Sequence, residues 1–135
     1  MDVLRANSAT IYAITRIVVG FLFTIHGVEK MFGVISLDEP VALLSLRGVA
    51  GVIELVAGAL ICLGLKTSWA AFISSGQMAV AYFYAHQPQA FWFRENGGEL
   101  SILYCFIFLY FAAKGSGILS LDHTMAGSND DTGTV

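Results

Sequence analysis

Charge is what this sequence has least of. Asp, Glu, Lys and Arg together make up 13% of its 135 residues, while 56% are apolar. A soluble domain carries about 25% charged residues, so this chain cannot clothe itself in polar surface, and a lipid bilayer is its expected solvent. Basic residues are scarcer than acidic ones, 7 against 10, giving a net charge of -3 with several acids near the carboxyl end. That balance excludes a basic face for nucleic acid. Proline is limited to Pro40 and Pro88, which leaves long stretches free to be helical without interruption. Cysteine is limited to Cys62 and Cys105. In alternating membrane segments the two would differ in depth by about 15 Å, beyond the roughly 7 Å that a disulfide allows between Cα atoms. Both are read as small buried hydrophobes. Near the amino terminus there is no short apolar core followed by a small-residue cleavage site, and the first apolar stretch contains Arg16, so that stretch is expected to be retained as a span.

The apolar runs then define an all-α fold, an integral membrane four-helix antiparallel bundle over residues 1–114, with spans at about 9–31, 41–65, 67–87 and 97–114. A loop with Gly33, Asp38, Glu39 and Pro40 joins the first two, and Pro40 is placed in the first turn of the second span. Leu65 to Ser68 is too short for anything but a tight turn, making spans two and three antiparallel neighbours. The third span has no formal charge and stops before Pro88. Phe91, Trp92, Phe93 and Arg94 have the aromatic and basic content of a membrane interface. Asn96 and Glu99 open the fourth span with the spacing of a capping box. Residues 115–135, mostly small and polar, are expected to be a largely disordered tail.

The few polar residues inside these spans carry the chemistry. In the first span Arg16, Gly20, His26, Gly27 and Lys30 share an arc of roughly 120°. In the second, Arg47, Gly51, Glu54 and Gly58 fall within roughly 60° of one another. An ionisable group at hydrocarbon depth costs at least about 2.5 kcal/mol unless it faces protein or a partner, so both arcs face inward. Alternating span direction brings His26, Lys30, Arg47, Tyr82, His86, Trp92, Asn96 and Glu99 to one end, opposite the termini, with Glu54 and Arg16 beneath. This polar mouth is the expected ligand pocket. Each member also has a plainer use: Arg16 and Glu54 as an internal ion pair, the glycines as points of close helix approach, the histidines as satisfied interfacial groups. In the third span Ser75, Met78, Tyr82 and His86 share one face, with Ser74, Gln77 and Tyr84 nearly opposite. Both cannot face a single core, and in a scaffold acting as a homo-oligomer Gln77 would sit at the contact between copies.

The His26-Gly27-Val28-Glu29-Lys30 run, Gly51-Val52-Ile53-Glu54, Leu63-Gly64, Met78 with Ala81-Tyr82 and His86, Asn96-Gly97-Gly98-Glu99, and Leu119-Ser120-Leu121-Asp122 resemble the DoxX family of small four-span membrane proteins. The resemblance implies a multi-pass protein of a bacterial or archaeal inner membrane. It also implies an association with quinone-linked oxidoreductases, so a quinone ligand and partner oxidoreductase subunits follow as expectations. Lys and Arg divide evenly between the two ends, so charge does not orient the bundle, and cytoplasmic termini are assigned from the polar tail. Three functions remain open: a quinone-interacting accessory subunit, a haem protein ligated by His26 and His86, and a non-enzymatic scaffold or conduit acting as a homo-oligomer. No other metal site is expected. The residues alone do not choose between enzyme and scaffold.

Overall fold

The structure, a computed structural model, describes residues 1–34 and 40–130, with side chains through residue 127. Asp38 and Glu39 of the expected loop, and residues 131–135 of the expected tail, lie outside the described residues. The described chain is all-helical, without a strand. It runs α1 (Asp2–Ala6), α2 (Ser8–Phe32), α3 (Leu46–Leu63), α4 (Thr67–Ala81), a π turn (Tyr82–His86), α5 (Glu99–Lys114) and α6 (Leu121–Asp130).

Local chemistry sets the ends. Ser45 caps α3, its hydroxyl oxygen accepting from the Gly48 amide at 3.0 Å. A side-chain acceptor for an orphan first-turn amide is a stronger start signal than a proline. The helix therefore begins later than the expected residue 41, and Pro40 lies outside it. The Val41 amide donates to the Lys30 carbonyl at 3.0 Å, fastening this connection to the end of α2. At the other end of α3, Gly64 turns the chain with φ of 70°, and Lys66 follows in the same left-handed region. A Cβ on Gly64 would also strike Ser120, so only glycine fits there.

Two seams hold α2 in place, and they are opposite in character. Against α3 it packs through glycines: a Cβ on Gly20 would stand 2.5 Å from the Cys62 nitrogen, and one on Gly58 would stand 2.7 Å from the Thr24 nitrogen. Against α5 it packs through rings, with Phe23 4.5 Å from Phe108 and Tyr12 5.7 Å from Phe111 between centroids. Small residues let backbones touch, whereas aromatics fill the space between helices that stand apart. Contact pairs run in opposite senses in both seams, so α2 is antiparallel to each neighbour. Helix α4 lies between α3 and α5, which resolves its two polar faces. The Ser75 hydroxyl donates to the Cys105 carbonyl on α5 at 2.8 Å, and the Gln77 amide donates to Glu54 on α3 at 3.1 Å. Gln77 thus faces its own chain, which corrects its assignment to a contact between copies. Cys62 and Cys105 are both free thiols.

The outward faces are apolar. Ile14, Val18 and Phe21 on α2, Val52 and Val56 on α3, Phe72 and Val80 on α4, and Leu103 and Phe106 on α5 are all exposed. Helices α2 and α3 are long and apolar enough to cross a membrane. Their exposed faces distinguish them from the buried core helices of a soluble protein. This is the surface of a membrane protein.

The segment after α5 is less free than its composition implies. Asp122 accepts from the Lys66 amide at 2.9 Å and from the Ser116 hydroxyl, and its own amide donates to the Gly64 carbonyl at 3.1 Å. Residues Leu121–Asp130 then form α6. The expectation of a largely disordered tail from residue 115 is corrected by this clasp, whose anchors are backbone groups that residue periodicity does not reveal. The Ser116 hydroxyl, with the Lys66 amide, holds the Asp122 carboxyl below the usual carboxylate range against a smaller opposing effect of desolvation. A carboxyl depressed on folding stabilises the clasp above its unfolded value and loses that contribution as pH falls through its folded value. The protection of the Lys66 amide from hydrogen exchange will therefore drop in acid, and Asp122→Asn will remove this pH dependence.

Candidate functional site

Three helices meet at one carboxylate. Glu54, on the inward stripe of α3, is 1% exposed, and its Oε1 accepts from Lys30 Nζ of α2 at 2.5 Å and from Gln77 Nε2 of α4 at 3.1 Å. Lys30 reaches it because the glycine seam brings α2 against α3, with Gly51 packed on the Lys30 side chain. Burying such a pair is tolerated only when partners are close and hydrogen-bonded, and breaking one typically costs about 3–5 kcal/mol. Two acceptors here are left over. Glu54 Oε2 and Gln77 Oε1 are buried and have no hydrogen-bond partner.

Beside this triad a cavity of about 530 Å³ lies between α3 and α4. Lys30, Gln77, Ile53, Met78, Arg47 and His86 line it, and its rim includes the exposed Val49, Ile73, Val80 and Tyr84. The walls are predominantly apolar and the polar groups few, the usual make-up of a small-molecule site. The π turn delivers His86 to this wall. A π turn inserts a residue into a helix and re-aims the side chains after it, and such turns recur at functional sites. His86 Nδ1 stands 3.0 Å from the Asn96 carbonyl oxygen. A carbonyl only accepts, so Nδ1 carries a proton and donates to it.

Of the residues expected at the polar mouth, the structure brings together Lys30, Arg47, Glu54 and His86, with Asn96 behind the histidine. The others are elsewhere. Arg16 is not Glu54's partner: its guanidinium donates to the carbonyls of Ile61 (2.5 Å), Cys62 (2.9 Å) and Leu119 (2.7 Å), at the end occupied by the clasp. The last carbonyls of α3 are orphans at the negative end of a helix, so a buried cation finds its compensation there. His26 sits on the α5 side of α2, 6.2 Å from the Tyr104 ring and 3.9 Å from Glu29, and does not line the cavity that His86 lines. Tyr82 packs against Gly98, where a Cβ would come within 2.6 Å of its ring. Trp92 is exposed and paired with Phe91 at 5.3 Å. Glu99 is exposed and forms no capping box: α5 starts after Gly98, whose amide donates to Asn96 Oδ1 at 2.8 Å, while Asn96 Nδ2 donates to the Ala90 carbonyl at 2.9 Å. Asn96 is thereby occupied within its own loop. Gln77 is the site residue that sequence reasoning misplaced. Its signal was a lone amide in a span without charge, one helix away from a buried carboxylate.

Residues 11–87 match the model of the DoxX family, more than half of the chain. This chain belongs to the DoxX family. The matched segment carries the triad Lys30, Glu54 and Gln77 and, on the cavity wall, Arg47 and His86, and stops before Trp92, Asn96, Glu99 and the cavity-lining Ser101. The DoxX chain is also 42% identical over 122 residues to an uncharacterized protein of Haemophilus influenzae, a similarity covering 82% of this chain and 87% of that one. No solved structure matches.

Proposed function

We propose that this DoxX protein is a four-span antiparallel membrane bundle whose cavity receives the ring of a lipid-soluble quinone, serving as an accessory subunit of an oxidoreductase in a bacterial or archaeal inner membrane. Helices α2 and α3 are spans by their own length. Helix α4 and the π turn together run from Thr67 to His86, which at about 1.5 Å per residue reaches the roughly 30 Å of a hydrocarbon core. Helix α5 is shorter and crosses with the help of its flanks. Both termini then lie on one side, assigned to the cytoplasm.

The observation that carries the ligand is the cavity itself: apolar walls, a rim of exposed apolar side chains facing lipid, and a small set of polar groups at Lys30, Gln77 and His86. An ammonium has three donors and Lys30 uses one on Glu54, so it retains capacity to hold a ring oxygen. A bound quinone would supply two-electron, two-proton redox chemistry. The chain's part is to orient the ring between Ile53 and Met78, hold its oxygens, and keep ionisable groups at Glu54 and His86 close by.

Binding of a short-chain quinone to the protein in lipid nanodiscs tests this reading. Saturable binding is expected, weakened about tenfold or more, roughly 1.4 kcal/mol, by Lys30→Met. His86→Ala will also weaken it, whereas His26→Ala will leave it unchanged, because His26 lies outside the cavity. Absence of saturable binding, or equal loss from His26→Ala and His86→Ala, contradicts the proposal.

A further inference from the structure

We infer that the groove between α3 and α4 seats an anionic phospholipid, its phosphate held by Arg47 at the mouth and one acyl chain laid along the apolar length. Arg47 lines the cavity, and the quinone reading gives it no task. It is exposed, and among the described residues no carboxylate lies within ion-pair distance of it. The other two basic groups of the lining are already engaged, Lys30 with Glu54 and His86 through Nδ1 with the Asn96 carbonyl. No Asp or Glu is among the lining residues. Glu54 offsets the charge of Lys30, so the positive charge that remains uncompensated at the groove is that of Arg47.

The depth of that charge decides what it can hold. Helix α3 begins at Leu46, so Arg47 stands in its first turn, at head-group level in a four-span bundle and about two turns, roughly 10 Å, outward of Glu54. His86 closes the π turn at the same end. From His86 the lining follows the π turn and α4 down to Ile73, roughly 20 Å at 1.5 Å per residue. A quinone ring fills only part of such a length. The exposed Val49, Ile73, Val80 and Tyr84 open the trough sideways to acyl chains. A cation at the interface above a long apolar trough has the two-part form of a phospholipid. The guanidinium fork matches a phosphate bidentately, and the chain gains apolar contact below it. A zwitterionic head brings a cation of its own, which would stand beside Arg47, so a net-negative head is preferred. The seat at Arg47 does not rest on the quinone reading. Chain and ring would share the apolar walls and compete for them.

Native mass spectrometry of the full chain, stripped of lipid in detergent and titrated with phosphatidylglycerol or with phosphatidylcholine of the same acyl chains, tests the seat. Phosphatidylglycerol is expected to bind at least about fivefold more tightly, the size of one arginine–anion attraction near a membrane surface. Arg47→Gln will erase that preference. Arg94→Gln removes an exposed arginine that does not line the groove and will leave the preference intact. Ala85→Trp crowds the groove from an exposed position of its lining and will weaken both lipids. Melting temperatures close to that of the parent establish that the variants are folded. Equal affinity for the two lipids, a preference that survives Arg47→Gln, or an equal loss from Arg94→Gln overturns the inference. Undiminished binding to Ala85→Trp, or displacement of the lipid by glycerol 3-phosphate alone, overturns the part assigned to the acyl chain. Quinone binding is read separately in phosphatidylcholine nanodiscs, so either proposal can fail without the other.

Discussion

Replacing Arg16 with methionine will destabilise the protein by roughly 2 kcal/mol or more, taking about 1–3 kcal/mol for each of the two carbonyls left unpaired. Two carbonyls, those of Cys62 and Leu119, lose this partner, while that of Ile61 also accepts from the Gly64 amide at 3.2 Å. Arg16 is fully buried, and no carboxylate approaches it within ion-pair distance among the described residues. Its charge is compensated by the end of α3, so removing it weakens that helix end, where the Gly64 amide still caps Ile61, and unhooks the clasp. Thermal unfolding in detergent should show the loss, and limited proteolysis should find new cleavage between residues 116 and 127. Arg16→Lys keeps the charge but not the planar fork that spans α3 and the clasp. An intermediate melting temperature with a still-cleavable tail is the expected result, and parent-like values for both variants would contradict this role.

The second large effect belongs to the glycine seam. A Cβ on Gly27 would stand 2.7 Å from the Leu55 Cα and 2.8 Å from the Gly51 oxygen, so it meets backbone and no side chain can yield. Gly27→Leu must force α2 and α3 apart. Its cost will reach or exceed the roughly 3 kcal/mol at the upper end of ordinary overpacking. The damage will extend to ligand binding, because Lys30 lies one turn beyond Gly27 and needs the same approach to meet Glu54. Gly76 provides the contrast. It sits inside α4 with nothing within 4 Å of an added Cβ, so Gly76→Ala will be neutral or stabilise by about 0.5–1 kcal/mol through helix propensity alone. Melting curves of the two variants, read beside quinone binding for Gly27→Leu, check both statements.

Much of this architecture was legible from residue spacing. The first span is expected at 9–31 and α2 runs Ser8–Phe32, and the glycines at 20, 27, 51 and 58 fall in one close seam. Periodicity tells which side of a helix faces inward, and that held for Arg16, Gly20, Gly27, Gly51, Glu54 and Gly58, whereas Arg47 is exposed and the His26 side chain is 44% exposed. It does not tell which of several inward groups will be partners. Arg16 was matched to Glu54 across a depth gap that long side chains might close, but Lys30 stood nearer to Glu54, and the end of α3 stood nearer to Arg16. Gln77 was sent outward because α4 was given one inward face. A helix wedged between two others has two, and sequence spacing cannot count neighbours. The π turn was equally hidden: it changes the pitch at Tyr82, so a projection at constant pitch misplaces His86 relative to Gln77. Glu99 was read as a cap from its spacing to Asn96, but Gly97 takes a φ of 68° and turns the asparagine back into its own loop.

The rim of the cavity has a kinetic meaning. Val49, Ile73, Val80 and Tyr84 are exposed on the outward side of the α3–α4 groove, where the apolar belt meets acyl chains. A visitor arriving there diffuses within a sheet and never crosses bulk water. Occupancy is then governed by how many ligand molecules each lipid accompanies, so diluting the protein in more lipid empties the groove even at constant total concentration. If the occupant is the proposed quinone, forms lacking a lipid tail will compete poorly for the same reason, since they spend their time in the wrong phase.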